Sequence, residues 1–533
     1  MEMMLQPQTG QLLGEAICTK HGTIFNDEFY GQYFLEKSDK DYSHLGWNHH
    51  HYAGWALWHS AALPVATLED KSGKSIGLLW GIAIGPSDEL IRSELTLPID
   101  SKSPDFIETF EQTLTDIRGK YVVLLKSRNS EFLYGDPVGD MGILFDTKTG
   151  IIGSSIPVVL RRQLKPHYDN FTEKDLQNGT AVFRFGATPD RDVKRLTPNH
   201  KLNLKTYKTA RFWPFELDPI CETDEECLDV VQKISKRLAG NLESYSKFGR
   251  VSLPISGGYD SRVLLLLAQS RNLKFTSVFT HRTNWISGYD AIIARGLCDE
   301  LGIDHEFLDA KSLFEQSDFC VEPAKQAQIW NWIRAGFAVP MERRPTMLST
   351  LLIKDTDIVL RGNVMEMLGG RLHNVDLTDL AESIRSICGR DPISDFENNE
   401  WSSSYKKWAN GLPNLQDKAI QDLCFIENLY CNALSVVLQS MPKGLYVNPF
   451  ADRQLISLTM RYPSERRIKS ALYKDLMQAA HPTIPFPKRP MRIGRNDKDG
   501  KKLNRFLAAN EKQTESVGVR FKTQMGLNKS PSN

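Results

Sequence analysis

Residues 251–262 read Val-Ser-Leu-Pro-Ile-Ser-Gly-Gly-Tyr-Asp-Ser-Arg and run straight into Val-Leu-Leu-Leu-Leu-Ala-Gln (263–269). The apolar run before Ser256 reads as a strand, and the run after Ser261 reads as a helix with an acidic first turn. Gly257 and Gly258 predict a turn in conformations closed to other residues, so that successive N–H groups point inward as an anion nest. The helix N-terminus adds partial positive charge. Ser256 and Ser261 supply hydroxyl donors, and Asp260 supplies a carboxylate that suits a magnesium ion on the same phosphates. A phosphate cradle is therefore expected. It has neither the Gly-Lys-Ser/Thr of a Walker loop nor the spacing of a dinucleotide fingerprint.

Around this stretch, strand-like runs alternate with helical ones: 250–255, 274–281, 305–310 and 357–363 are strand-like, with the helical pattern 289–303 among them. That alternation implies parallel βαβ units in a doubly wound α/β sheet. An acidic turn after Thr223 marks the helix that opens this half. Before it, from about 20 to 215, short β-like runs such as 75–85 and 120–127 are broken by Gly, Asn and Asp-Pro, with one helical pattern at 105–117. That half reads as α+β with much antiparallel sheet. The expected organisation is 1–217, 218–490 and a basic tail 491–533. The tail, where Lys and Arg prevail from Lys488 on, is expected to be a solvated, mobile end.

In the 533-residue chain, 66 Lys and Arg face 65 Asp and Glu. Such a balance gives no reason to expect a nucleic acid or an anionic membrane as partner. No apolar run is long enough to span a bilayer and the first residues lack a signal-peptide pattern, so a cytoplasmic protein is expected. The eight scattered cysteines include no Cys-x-x-Cys pair and fit reduced thiols. His49, His50 and His51 beside Trp47 and Tyr52 are expected in a polar loop, since adjacent histidines in extended chain point to opposite sides. The aromatic and arginine-rich stretch 330–348 reads as helix core and cleft lining, and Cys424 and Cys431 as core.

Ser256-Gly257-Gly258-Tyr259-Asp260-Ser261 resembles the Ser-Gly-Gly-x-Asp-Ser pyrophosphate loop (PP-loop) of the N-type ATP pyrophosphatases. Four further stretches resemble the asparagine synthetase family within that superfamily, in the family's order. Residues 119–145, with Gly135-Asp136-Pro137-x-Gly139, look like its N-terminal amidotransferase strands. Residues 195–215 look like the segment closing that domain. Residues 359–370 look like the synthetase segment with its glutamate and aspartate, and 446–478 like the Pro-Phe-Leu-Asp segment and lysine helix. The resemblance implies an Ntn-type αββα sandwich followed by an α/β ATP pyrophosphatase domain.

It also implies a site. Ser256, Gly257, Gly258, Asp260 and Ser261 would hold pyrophosphate, with magnesium on Asp260 and on Glu366, which lies four residues past Gly362. Val278 and Phe279 would offer backbone to the adenine of ATP, and Lys474 would stabilise charge near the adenylate. Arg361 would meet a substrate carboxylate or a structural partner. Arg262 would add charge to the phosphate site.

Three features depart from the family. The chain begins Met1-Glu2, where the family's glutaminase has a cysteine with a free amine, and the nearest thiol is Cys18, so no glutaminase activity is expected. Asn363 stands at the position of the family's glutamate and cannot serve as a general base. Arg262 follows the loop directly. A dead amidotransferase half on a synthetase half resembles the β-lactam synthetases and lasso-peptide cyclases. The implied activity is an AMP- and pyrophosphate-forming amide ligase in specialised metabolite, peptide or surface-glycan biosynthesis. It would join a small-molecule or peptide carboxylate to an amine, with a homodimer possible. The rival expectations are an ammonia-dependent asparagine synthetase and an ATP-binding pseudoenzyme or interaction module.

Overall fold

A computed structural model of the chain describes residues 5–168, 170–178, 181–315, 349–393, 395–439, 441, 443–484, 494 and 496–524. The stretch 330–348 lies outside the described residues.

Strands up to Arg211 form a six-stranded and an eight-stranded sheet. The second is built on two long antiparallel strands, Ser75–Ile84 and Arg118–Lys126, with Trp80 opposite Val122. One pair in it is parallel, Val65–Glu69 with Glu94–Thr96. Strand alternation sorts the side chains. On Tyr33–Glu36 of the six-stranded sheet, Tyr33 and Leu35 join the core shared with the other sheet, and the Tyr33 ring stands edge-on to Trp80 at 5.1 Å. Phe34 joins the opposite cluster, with Leu13, Ile17, Ile156 and Val159 from two helices. The far face of the eight-stranded sheet takes helix Phe106–Leu114, whose Phe110 ring lies 5.3 Å from Tyr134. The layers run helix, sheet, sheet, helix.

Helix α1 (Asp224–Ser246) opens the second half. The Thr223 hydroxyl accepts the Glu226 N–H (3.2 Å) and the Glu226 carboxylate accepts the Thr223 N–H (3.1 Å), a capping box that fixes the helix start. Then follow β1 (Val251–Pro254), α2 (Tyr259–Ser270), β2 (Ser277–His281), α3 (Trp285–Glu300), β3 (His305–Leu308) and α4 (Ala310–Glu315). β4 (Ile358–Leu360), β5 (Leu445–Val447), α5 (Ala471–Ala480), α6 (Lys498–Ala509) and α7 (Glu511–Gln524) complete the set used below. All four strand pairings are parallel, in the order β3-β2-β1-β4-β5. Residues 263–268 of α2 are all buried, because the helix is covered on several sides, by β1, α1 and α5 among others. A helix apolar all round requires such cover.

The two halves meet through buried polar contacts. The Gly119 N–H donates to Ala451 O (2.9 Å), Tyr430 Oη and Asn448 Nδ2 both donate to Asp140 (2.6 Å each), and Arg453 donates to Asn199, Tyr121 and Gly135.

Two expectations are corrected here. His49–His51 do not form a loop: they lie on the edge strand Asn48–Tyr52, paired with Trp55–His59. The alternation holds, with His49 stacked on Trp58 (4.8 Å) and His50 on His59 (5.2 Å). Among the described residues no group of three or more His, Cys, Asp or Glu could hold a metal ion. The basic tail is not a solvated end where it is described. α6 and α7 pack against the sheet, burying Leu503, Val517 and Phe521 and setting Phe506 against Phe307 at 5.2 Å. Its excess of lysines hid an apolar stripe of helical period. No described helix is long and apolar enough to cross a membrane, and Cys424 and Cys431 are buried.

Candidate functional site

The strand order reverses between β1 and β4, and in an open parallel sheet the crevice for ligands lies outside the carboxyl ends of the strands at that point. β1 ends at Pro254 and β4 at Leu360. The two segments that leave them are 255–258 and 361–363, both carrying residues of the expected site. They touch. A Cβ on Gly362 would lie 2.7 Å from the Asp260 Cβ, so glycine is required there by close approach. The Asp260 carboxyl feels the charge of Glu366. Burial, against the hydrogen bond from Tyr473 and with a smaller push from Glu366, raises the Asp260 carboxyl from 3.8 to about 7. Burial also raises Glu366, against the pull of Arg371, whose Nε donates to it at 3.1 Å.

Tyr473, on α5, closes the group. Its hydroxyl lies 2.5 Å from Asp260 Oδ1 and 2.7 Å from Met365 O, so one phenol ties the two segments together. The phenol O–H has one proton to donate between these two acceptors, and its bond to Asp260 works against the rise of that carboxyl. The neighbouring Lys474 is exposed. Helical spacing accounts for the difference: Leu472, Tyr473, Leu476 and Met477 make the buried face. That spacing was the available signal for Tyr473.

The turn differs from the expected nest. Neither Gly257 nor Gly258 has a positive φ, and Gly258 sits at φ −77°, ψ 163°. The amides are already bonded within the protein: Ser256 N–H to Ser261 Oγ (3.0 Å), Gly257 N–H to Asp290 Oδ1 (3.1 Å) and Gly258 N–H to Ser256 Oγ (3.1 Å). The donors left facing outward belong to the first turn of α2, which its N-cap Gly258 cannot cap through a side chain. An anion would exchange those three bonds for its own, and each is worth only about 0.5–1.5 kcal/mol net. Asp290, 33 residues along the chain from Gly257, had no local sequence signal.

Arg262 is also corrected. It is buried and turns back on its own loop, donating from Nη2 to Gly257 O (2.6 Å) and from Nε to Gly258 O (3.0 Å). It braces the turn from inside. From the other side β2 holds Ile255, whose N–H donates to Phe279 O (2.7 Å) and whose carbonyl accepts from the Thr280 hydroxyl (2.5 Å). Val278 and Phe279 are buried, and the Phe279 carbonyl is engaged by this bond.

Arg361 leaves β4 half-buried, and its Nε donates to Asn363 Oδ1 (3.0 Å). Among the described residues it has no carboxylate partner. Its charge reaches the end of β2: burial first, then Arg361, lowers His281 from 6.5 to about 4 and keeps that ring neutral. Thus Asn363, which lacks the chemistry of a base, positions a cation. A cavity of about 810 Å³ opens elsewhere, at the amino ends of β2 and β3, and includes none of these groups except Val278. Chemistry rather than volume marks the site at 256–261 and 361–366.

The carboxyl pair fits a hard divalent cation. Magnesium commonly binds through one or two carboxylates together with water and substrate phosphates, and burial raises both carboxyls here, with Glu366 adding to the rise of Asp260, so a cation would relieve both. No protein-family model matches the chain, and no curated protein matches it in sequence.

Proposed function

We propose that the protein is an ATP-dependent amide ligase that forms AMP and pyrophosphate, with ATP and magnesium bound at the switch point of the parallel sheet. One observation carries the reading. The Ser-Gly-Gly-Tyr-Asp-Ser turn and the Gly362–Glu366 segment, more than 100 residues apart, meet at one crevice, with Gly362 against Asp260 and Glu366 near enough to raise the Asp260 carboxyl. The helix–sheet–sheet–helix layers of the first half and the strand order of the second support the amidotransferase-like and ATP pyrophosphatase assignments.

In the proposed reaction a substrate carboxylate oxygen attacks the α-phosphorus of ATP, and the bond to the β-phosphate bridging oxygen breaks. Pyrophosphate leaves with that electron pair. An amine nitrogen then attacks the acyl carbon, AMP departs with its oxygen, and the amine proton passes to solvent or to AMP. Magnesium, held by Asp260 and Glu366, would neutralise phosphate charge. Ser256, Ser261 and the first turn of α2 would receive the pyrophosphate, and Arg361, aimed by Asn363, would orient the carboxylate. Lys474 is exposed and adjacent to Tyr473, within the one turn of α5 that borders the site. Most of the rate would come from positioning and from donors aimed at developing charge.

The N-terminal half would not release ammonia from glutamine. Cys18 lies inside helix Leu13–His21, buried, its thiol raised to about 12 chiefly by desolvation. The reactive species is the thiolate.

A second reading, a nucleotide-binding module without turnover, is favoured by the three loop amides that are already bonded internally. Pyrophosphate exchange into ATP, with magnesium and a panel of acids that includes aspartate, separates the two. The ligase reading expects exchange with at least one acid and its loss on Asp260→Ala. Exchange that survives Asp260→Ala refutes this site, and absence of exchange with every acid favours the second reading. Turnover of aspartate with ammonia would identify an asparagine synthetase.

A further inference from the structure

A second cavity, of about 740 Å³, opens outside the carboxyl ends of β2 and β3 and is walled by α6 and α7. Its floor is an ion pair. Arg282 directly follows β2 and Asp309 directly follows β3, with side chains 7 % and 5 % exposed and Nη1 2.7 Å from Oδ2. The pair is unevenly satisfied. Asp309 also accepts the Ser312 N–H (3.0 Å) and hydroxyl (2.9 Å). Arg282 uses Nη1 alone, on Asp309 and on Ser312 Oγ (3.0 Å). Its Nε is buried without an acceptor, and among the described residues nothing accepts from Nη2. A guanidinium N–H left without a partner is costly, and Nη2, which unlike Nε is not closed off from the cavity, can donate to a carboxylate oxygen.

The fold keeps the arginine in place. α3 runs beside it with glycine at 288, where a Cβ would lie 3.2 Å from Arg282 Cδ and 3.4 Å from Nε. The amino end of this 16-residue helix, with Trp285 at its first position, borders the cavity and favours negative charge. Leu313, Leu507, Ala508 and the 63 % exposed Val519 line the walls. On the α7 side Glu511 and Glu515 outnumber Lys522, which disfavours a polyanion and leaves Arg282 as the cation of the floor. A volume of this size suits a small metabolite.

We infer that this cavity binds a small monocarboxylate with an apolar body, its carboxylate on Arg282. The inference needs no ATP and stands apart from the ligase reading. The test is calorimetric titration of the full chain with 3-phenylpropionate, beside its uncharged isostere 3-phenylpropanamide. The acid is expected to bind at least about tenfold more tightly than the amide. Ala508→Trp, at an exposed wall position, fills the cavity and is expected to abolish binding. Arg282→Lys keeps the charge but loses the planar fork, and is expected to weaken binding about tenfold. Thermal melts check that both variants fold, and if Arg282→Lys does not, Ala508→Trp carries the test. Equal affinity for acid and amide, unchanged binding in Ala508→Trp, or no binding of the acid at about 10 mM overturns the inference.

Discussion

Two turns in this molecule begin alike, with a strand, a glycine and an aspartate, and end as opposites. In the first half Asp136 follows strand Glu131–Gly135, and its carboxylate gathers the N–H groups of Val138, Gly139, Asp140 and Met141 at 2.7–3.1 Å. Gly139, at φ +77°, has the conformation that favours glycine. In the second half Asp260 follows Gly257 and Gly258, neither at positive φ, and among the described residues the only side chain that hydrogen-bonds it is Tyr473. One aspartate completes its own turn. Each feels a neighbouring carboxylate, Asp140 for one and Glu366 for the other, but among the described residues Asp260 accepts no backbone N–H of its own turn. A carboxylate consumed by its own backbone is architecture, and one that the fold buries in a crevice without backbone donors is a candidate for chemistry.

The contrast is sharpest in paired alanine variants. Asp260→Ala should lower pyrophosphate exchange by about 10²–10³ or more while thermal stability holds or rises, because a repelled buried group is removed. Asp136→Ala should do the reverse. It orphans three buried N–H groups and one part-buried, at about 1–3 kcal/mol for each buried one before relaxation, so denaturant unfolding should show a loss of several kcal/mol. Equal stability losses in the two variants would break the comparison.

Gly362→Ala comes next. The new methyl meets Asp260 at 2.7 Å and must push the two segments apart, costing about 1–3 kcal/mol by overpacking and lowering exchange as well. A variant as stable and as active as the parent would mean that the contact is not tight.

The smallest effect is a pH dependence. Burial, then Asp140, raises Asp136 from 3.8 to about 6, against the amides of Met141, Asp140 and Val138. The stability contributed by its neutral form is complete below about pH 4 and is lost as pH rises through about 6. Denaturant midpoints of Asp136→Asn should therefore gain on those of the parent as pH rises from 4 to 7. A pH-independent gap would contradict the raised value.

How much of this was legible follows from range. The start of α1 could be read because Thr223 and Glu226 form a box three residues apart, and β1, its turn and α2 because strand and helix periods adjoin within 20 residues. The convergence of Asp260 with Glu366 was suggested by resemblance, since nothing in the local pattern at either place points to the other. What lay beyond reading depends on distant partners. Asp290 takes the Gly257 amide from another helix, Arg262 turns inward because the carbonyls of its own loop receive it, and Tyr473 rather than Lys474 faces the carboxylates. The glycines were misjudged for a related reason: the turn needs room beside the Ser256 hydroxyl, 3.2 Å from a Cβ on Gly258, and not an unusual φ.

The central claim is that residues 256–261 receive the pyrophosphate of ATP, and a crystal structure with magnesium and a non-hydrolysable ATP analogue tests it most directly. The account predicts the β- and γ-phosphates against Ser256, Ser261 and the first turn of α2, with the Gly257 amide released from Asp290 and the Gly258 amide from Ser256. A nucleotide bound elsewhere, with those internal bonds intact, would contradict it.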